Sequence, residues 1–170
     1  MSAKRSDRLK VTKVIRNATF SDRITIGIST WFGLGFLPGA PGTFGTAGAL
    51  PLYAAGNLLG PHYQLLFLLI IITGAIWSSH RAQEILGTID PREIVIDEVA
   101  GFLLAVVFLP FTWMTLIAGF LLFRFFDILK PPPIRKIERV VKGGFGVVLD
   151  DLVAGAYAHL CVRFLHYMIN

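Results

Sequence analysis

The sequence predicts an all-α protein, a compact multihelical bundle that is embedded in a membrane or associated with one. Of its 170 residues, 54% are hydrophobic and only 16% are charged, whereas soluble domains carry about a quarter charged residues. No Asp, Glu, Lys or Arg lies between Arg23 and Arg81, or from Val99 to Phe123. Loops rich in Gly and Pro separate these apolar segments.

The apolar segments differ in how well they fit a bilayer-spanning helix, which needs about 20 apolar residues. Residues 62–80 fit this length. Residues 99–123 also fit, but Pro110 either kinks them or separates two shorter helices. Residues 147–168 are a weaker candidate, and residues 44–59 are the weakest. The alternative is a soluble helical bundle with a large apolar core.

A basic N-terminal arm, residues 1–23, precedes a helical domain that is predicted over residues 24–170. The arm holds seven Lys or Arg and two Asp, which accounts for the whole formal net charge of +5. No apolar signal core follows it, so we expect it to remain in the mature protein. The positive-inside bias places the arm in the cytoplasm, against an anionic membrane surface. Because the arm is attached to so apolar a chain, we do not expect its partner to be nucleic acid.

The chemistry is expected to come from the acidic residues. Five of the eleven lie in three places, each beside an apolar segment: Asp97–Glu98, Asp127 and Asp150–Asp151. An ionised carboxylate at membrane depth costs several kcal/mol unless it is paired, hydrated or bound to a metal. Three such places in one small chain therefore indicate a shared function.

The two acid pairs have similar surroundings in the sequence. Each follows an apolar residue, and small residues ending in Gly101 or Gly155 come about one helical turn later. Small residues let helix backbones approach closely, so two helices crossing here would place up to four carboxylates around one cavity. The alternative is that both acid pairs cap helix N-termini.

Asp127 occupies an unfavourable place in a helix predicted over residues 115–129, which three consecutive prolines terminate. A carboxylate near the C-terminal end of a helix opposes the helix dipole. Asp127 is therefore predicted either to bind a cation or to pair with Arg124.

Nearby Lys130 and Arg135 suit an anionic substrate group. Oxygen ligands without adjacent His or Cys favour Mg2+, Mn2+ or Ca2+ over Zn2+. Carboxylates, such a cation and basic residues are typical of phosphoryl transfer.

Residues 33–48 contain six Gly and two Pro. Pro38 stands where a dinucleotide-binding motif needs its third Gly, and the Lys of a P-loop is absent. A turn-rich loop leading into a helix, with Thr43 or Thr46 at the cap, could hold a phosphate on backbone N–H groups. The alternative is close helix packing through the small residues Gly45, Gly48 and Ala49.

Four blocks of the chain, in this order, resemble the phosphatidylglycerophosphatase A family. They are residues 38–46, 96–101, 123–135 and 143–155. The resemblance implies a Mg2+-dependent hydrolase of the bacterial inner membrane with a compact multihelical fold. It would convert phosphatidylglycerophosphate to phosphatidylglycerol, the last step of that phospholipid's synthesis. Its active site would face the cytoplasm.

The resemblance also places the family's acidic positions on the five carboxylates, and its basic positions on Lys130 and Arg135. The resulting hypothesis assigns Mg2+ to Asp97, Asp127 and Asp150. The predicted catalytic residues are Asp97, Glu98 and Asp151. Of these, Glu98 or Asp151 orients or deprotonates the attacking water. The phosphate is bound by Lys130, Arg135, Gly42 and Thr43. The alternative function is a small membrane transporter or channel that uses its carboxylates for cations.

Overall fold

A computed structural model describes residue 11, residues 14–88 and residues 91–169. Within these ranges the chain forms helices and no strand, which confirms the all-α prediction. Most of the predicted basic arm, residues 1–10, 12 and 13, lies outside the described residues. From Phe20 onward the described residues form eight α-helices and one turn of 3-10 helix, Leu34–Phe36. The α-helices are α1 (Phe20–Ser29), α2 (Pro41–Gly48), α3 (Leu50–Asn57), α4 (Pro61–Leu86), α5 (Ile96–Val106), α6 (Trp113–Leu129), α7 (Ile134–Val140) and α8 (Gly143–Ile169).

Helix α1 crosses the boundary predicted at residue 23. Its start is set by Thr19, whose hydroxyl accepts a hydrogen bond from Asp22 N at 3.2 Å. Asp22 Oδ2 in turn accepts one from Thr19 N at 3.3 Å, which completes a capping box. The last residues of the predicted arm are therefore the first turn of a helix.

Two helices, α4 and α8, are long and apolar enough to cross a bilayer by length and composition. They contain the predicted segments 62–80 and 147–168. Segment 99–123 is divided between α5 and α6, so Pro110 separates two shorter helices instead of kinking one. The Tyr53 hydroxyl donates to Leu109 O at 3.2 Å and to Pro110 O at 2.9 Å, which ties the connecting segment to α3.

Helix α5 forms the centre of the bundle, with nine of its eleven residues buried. It crosses α8 where Gly101 faces Gly155. A Cβ atom on Gly155 would overlap Gly101 O, and one on Gly101 would lie 2.7 Å from Asp151 O. The backbones of the two acid-bearing helices touch here, as the small-residue pattern predicted.

An apolar stripe runs along the outer face of α6. It consists of Trp113, Ile117, Leu121, Phe125 and Ile128, at helical spacing, and all five are at least half exposed. Helices α4 and α8 also expose large apolar side chains, including Ile70 and Phe164. Soluble monomers rarely expose contiguous apolar patches of this extent, so this surface is suited to contact with lipid.

Candidate active site

All five predicted carboxylates line one cavity with a volume of about 480 Å³. Three helices supply them, in the first turn of α5, the end of α6 and the first half of α8, and the start of α2 and Glu138 of α7 add to the lining. Lys130 and Gly42, which the sequence assigned to phosphate binding, line the same cavity. The three separate acidic places of the sequence are thus one site in space.

The two acid pairs occupy different positions in their helices. Helix α5 begins at Ile96, so Asp97 and Glu98 lie in its first turn, where the helix dipole favours negative charge. This pair therefore lies at the start of a helix, as the capping alternative predicted, although no side chain caps α5 by a hydrogen bond. Helix α8 begins at Gly143, so Asp150 and Asp151 lie well inside it. For them the capping alternative is wrong.

Three of the carboxylates, Asp97, Glu98 and Asp151, each offer an oxygen atom within 4.8 Å of the others. These three residues are the carboxylate trio. Asp97 is 7% exposed and Asp151 is 5% exposed. Glu98 Oε2 is buried and makes no hydrogen bond within the described residues. Buried oxygen donors converging from two helices fit a hard divalent cation such as Mg2+.

Burial governs the acidity of Glu98. Loss of water raises the pKa of its carboxyl above the ordinary value, and the neighbouring Asp97 and Arg124 offset this only in part. A carboxylate whose pKa is raised is a stronger base than an ordinary glutamate. Glu98 is therefore suited to general base chemistry.

The other two acids are paired with cations. Arg124 Nη1 lies 2.7 Å from Asp127 Oδ2 and 3.7 Å from Glu98 Oε1. This confirms the predicted alternative of an Arg124–Asp127 pair. Lys130 Nζ donates to Asp150 Oδ2 at 2.8 Å. The structure therefore groups the acids differently from the hypothesis that assigned Mg2+ to Asp97, Asp127 and Asp150.

Lys130 reaches the cavity because of the way in which α6 ends. Its backbone has φ +46°, the left-handed conformation that commonly ends helices, and three prolines follow. Its ammonium group bridges Asp150 and Glu138, with Nζ 3.0 Å from Glu138 Oε1. Burial disfavours the charge of Lys130, but the two carboxylates outweigh this and hold its pKa above the ordinary value. Lys130 is therefore a fixed positive charge inside the cavity.

Two residues assigned to phosphate binding do not line the cavity. Arg135 is exposed, and its Nη2 donates to Leu129 O at 3.1 Å, at the C-terminal end of α6. Thr43 is half-buried inside α2, which begins at Pro41. The prediction that Thr43 or Thr46 caps this helix is wrong, because Pro at the first helical position moves the start upstream.

The Gly-rich segment packs closely against its neighbours at two positions and borders the cavity at a third. A Cβ atom on Gly45 would lie 2.7 Å from Val95 Cβ, and one on Gly48 would lie 2.6 Å from Trp31 Cδ1. These contacts confirm the alternative of close packing. Gly42 instead lines the cavity, where a Cβ atom would overlap Glu98 Oε1 and lie 3.0 Å from Arg124 Nη1.

Replacing Gly42 with Ala is expected to lower kcat/KM for phosphate release about 100-fold, because the new methyl group displaces Glu98 and Arg124 from their present positions. The matched control is Gly74→Ala in α4, where an added Cβ meets nothing within 4 Å. The control is expected to retain wild-type kinetics. Equal activity of the two variants would show that the Glu98–Arg124 contact does not contribute.

Four further charged residues line the cavity without having been assigned to it from the sequence: Arg92, Arg124, Glu138 and Lys142. Arg124 was considered only as a partner for Asp127. Arg92 and Lys142 share a signal that could have identified them. Each is a cation that precedes a helix bearing an acid pair, Lys142 directly before α8 and Arg92 four residues before α5.

Comparison with known proteins indicates a family. The family model for phosphatidylglycerophosphatase A matches residues 27–166. The chain is 34% identical over 142 residues to phosphatidylglycerophosphatase A of Haemophilus influenzae, covering 82% of this chain and 87% of the relative. It is 35% identical over 129 residues to the Escherichia coli protein of that name, covering 75% of each. It is 38% identical over 152 residues to a Bacteroides thetaiotaomicron protein named provisionally as a phosphatidylinositol-3-phosphatase, covering 84% of this chain and 94% of the relative. No solved structure matches.

Proposed function

This chain belongs to the phosphatidylglycerophosphatase A family and is a phosphatase, and from that premise we propose that it hydrolyses phosphatidylglycerophosphate to phosphatidylglycerol and phosphate with the help of Mg2+. The observation that supports the proposal is the carboxylate trio at the floor of a cavity that also contains Lys130 and Arg124. The alternative function, a transporter or channel, gives no reason for the motifs of a phosphatase family to line one cavity.

The carboxylate trio is the proposed Mg2+ site. Asp97 and Asp151 would hold the ion from the two crossing helices, in place of the set Asp97, Asp127 and Asp150. An ion of this kind, when bound, neutralises phosphate charge and lowers the pKa of a nearby water. Asp127 and Asp150 then serve mainly to hold Arg124 and Lys130 in position.

The residues of the cavity can divide the reaction among them. Glu98 orients the attacking water and accepts its proton, since burial raises its pKa. Water attacks the terminal phosphorus, the bond from phosphorus to the glycerol oxygen breaks, and the proton taken up by Glu98 is passed to that oxygen to give the hydroxyl of phosphatidylglycerol. Lys130 donates to the phosphate oxygens, which gain charge in the transition state. Gly42 brings the α2 backbone against Glu98 and Arg124 without a side chain in the way.

The exposed apolar surface supports the proposal that this chemistry takes place at a membrane. Helices α4 and α8 are the candidate spans, and the α6 apolar stripe would contact acyl chains. We assign the protein to the bacterial inner membrane with the cavity facing the cytoplasm, where the basic arm would bind anionic headgroups. The acyl chains would then stay in the bilayer while the headgroup enters the cavity.

A second lipid deserves a test beside the first, because one relative is named for phosphatidylinositol 3-phosphate. In that lipid a phosphodiester and a phosphomonoester occupy carbons 1 and 3 of a polyol. Phosphatidylglycerophosphate has the same 1,3 relationship on glycerol. The two lipids thus present similar spacing between their phosphates.

The function is tested by phosphate release from phosphatidylglycerophosphate, phosphatidylinositol 3-phosphate and phosphatidic acid. Each is measured with Mg2+ and with EDTA, using purified protein in a neutral detergent. We expect release from phosphatidylglycerophosphate that EDTA abolishes and Mg2+ restores. Release that persists in EDTA would contradict the metal proposal, and a preference for the inositol lipid would replace the proposed substrate.

A further inference from the structure

The cavity is divided by charge between its floor and its rim. On the floor, five carboxylates lie together with Arg124 and Lys130, and Asp97, Asp150 and Asp151 are each at most 7% exposed. On the rim, Arg92 and Lys142 are exposed to solvent. Glu138 is also exposed there, but it is paired with Lys130, so Arg92 and Lys142 are the charges at the rim that an approaching anion would meet.

The rim cations differ from the floor cations in their pairing. Arg124 and Lys130 each lie within 4 Å of two carboxylates. Within the described residues, neither Arg92 nor Lys142 forms an ion pair, and the Lys142 ammonium donates only to the backbone oxygen of Glu138, at 3.5 Å. The positive charge at the rim is thus available to a ligand, while that on the floor is shared with carboxylates.

The two rim cations lie on two different segments of the cavity lining. Arg92 lies on the segment that leads into α5, and Lys142 directly precedes α8. These are the two helices that supply the carboxylate trio. A ligand that contacts both rim cations would therefore lie at the starts of the two helices that carry the trio, within the same cavity.

The proposed substrate has two anionic groups, one for the floor of the cavity and one for its rim. Its terminal phosphomonoester is the group that is removed, and its phosphodiester links the glycerol to the lipid. We propose that Arg92 and Lys142 form a second anion-binding position at the cavity rim, which takes the phosphodiester while the phosphomonoester lies at the trio. This inference rests on the proposed function and extends it to a substrate class: lipids with two phosphates that a short polyol separates.

The test compares Arg92→Gln/Lys142→Gln with Lys136→Gln/Arg139→Gln. The second pair removes the same charge from α7 at exposed residues outside the cavity lining. KM and kcat are measured with phosphatidylglycerophosphate in neutral detergent micelles. Phosphatidic acid, which has a single phosphate, is added as a competitor to obtain its inhibition constant in each variant.

Loss of the rim cations is expected to raise KM for phosphatidylglycerophosphate at least about tenfold, since charge-assisted hydrogen bonds are lost, and to leave kcat within about twofold. The inhibition constant of phosphatidic acid should not change, and the α7 control should match wild type. An unchanged KM, an equal rise for both lipids or an equal rise in the control would overturn the inference. Failure of the wild-type protein to release phosphate would instead refute the proposed function.

Discussion

Replacing Asp151 with Asn is expected to lower phosphate release at least about 1000-fold, on the order of 4 kcal/mol in the barrier, without unfolding the protein. Asp151 is 5% exposed and forms no ion pair within the described residues. Its neighbours Asp97 and Glu98 carry the same charge. Without a bound cation, removal of one of these clustered charges relieves repulsion, so metal-free D151N should be at least as stable as wild type.

Thermal unfolding with and without Mg2+ separates this effect from simple damage. Mg2+ should raise the unfolding temperature of the wild-type protein, because a ligand of the native state stabilises it. It should not raise that of D151N. The control is Glu84→Gln, which removes an exposed carboxylate paired with Arg81 on α4 and should change neither property appreciably. Turnover of D151N within about tenfold of wild type would refute the assignment of the trio.

The second large effect is expected from Gly155→Ala. The methyl group would overlap the carbonyl oxygen of Gly101, a backbone atom that cannot turn aside. Separating α5 from α8 should cost about 1–3 kcal/mol or more in the free energy of unfolding. Activity should fall further than stability, because the carboxylate trio is assembled from these two helices and small misplacements are costly in catalysis.

Thermal unfolding and kcat, measured on the same preparation, test this expectation. Gly74→Ala is again the control, since its added Cβ meets open space in α4. The control should gain a little stability, because Ala favours helices over Gly by about 1 kcal/mol. If G155A unfolded at the wild-type temperature, the close crossing of α5 and α8 would not be a determinant of the fold.

The sequence was sufficient to predict that the five carboxylates share one site. Motifs from four distant blocks converge on one cavity, and the Gly101 and Gly155 patterns mark the helix crossing correctly. The end of α6 also followed from its three prolines. These features could be predicted because they depend on local chemistry: helix breakers, small residues at helical spacing and charges beside apolar segments.

The partners of the individual carboxylates could not be predicted in the same way. The register of α5 against α8 places Asp151 with Asp97 and Glu98, while Asp150 turns towards Lys130. A one-residue difference on a helix changes direction by about 100°. Sequence order does not determine that register. Arg135 illustrates the same difficulty. It lies in α7, the helix after Asp127, but the sequence does not show that its side chain donates to the Leu129 carbonyl instead of reaching the cavity.

The α6 apolar stripe has a consequence for how the enzyme encounters its substrate. It extends from Trp113 to Ile128 and ends beside Asp127 and Lys130 at the cavity. A lipid diffusing sideways along this helix would bring its headgroup to the site without leaving its leaflet. Collisions would then occur in two dimensions. The rate of the reaction would follow the mole fraction of substrate in the leaflet, and diluting the membrane with inert lipid would slow the enzyme even at constant bulk substrate concentration.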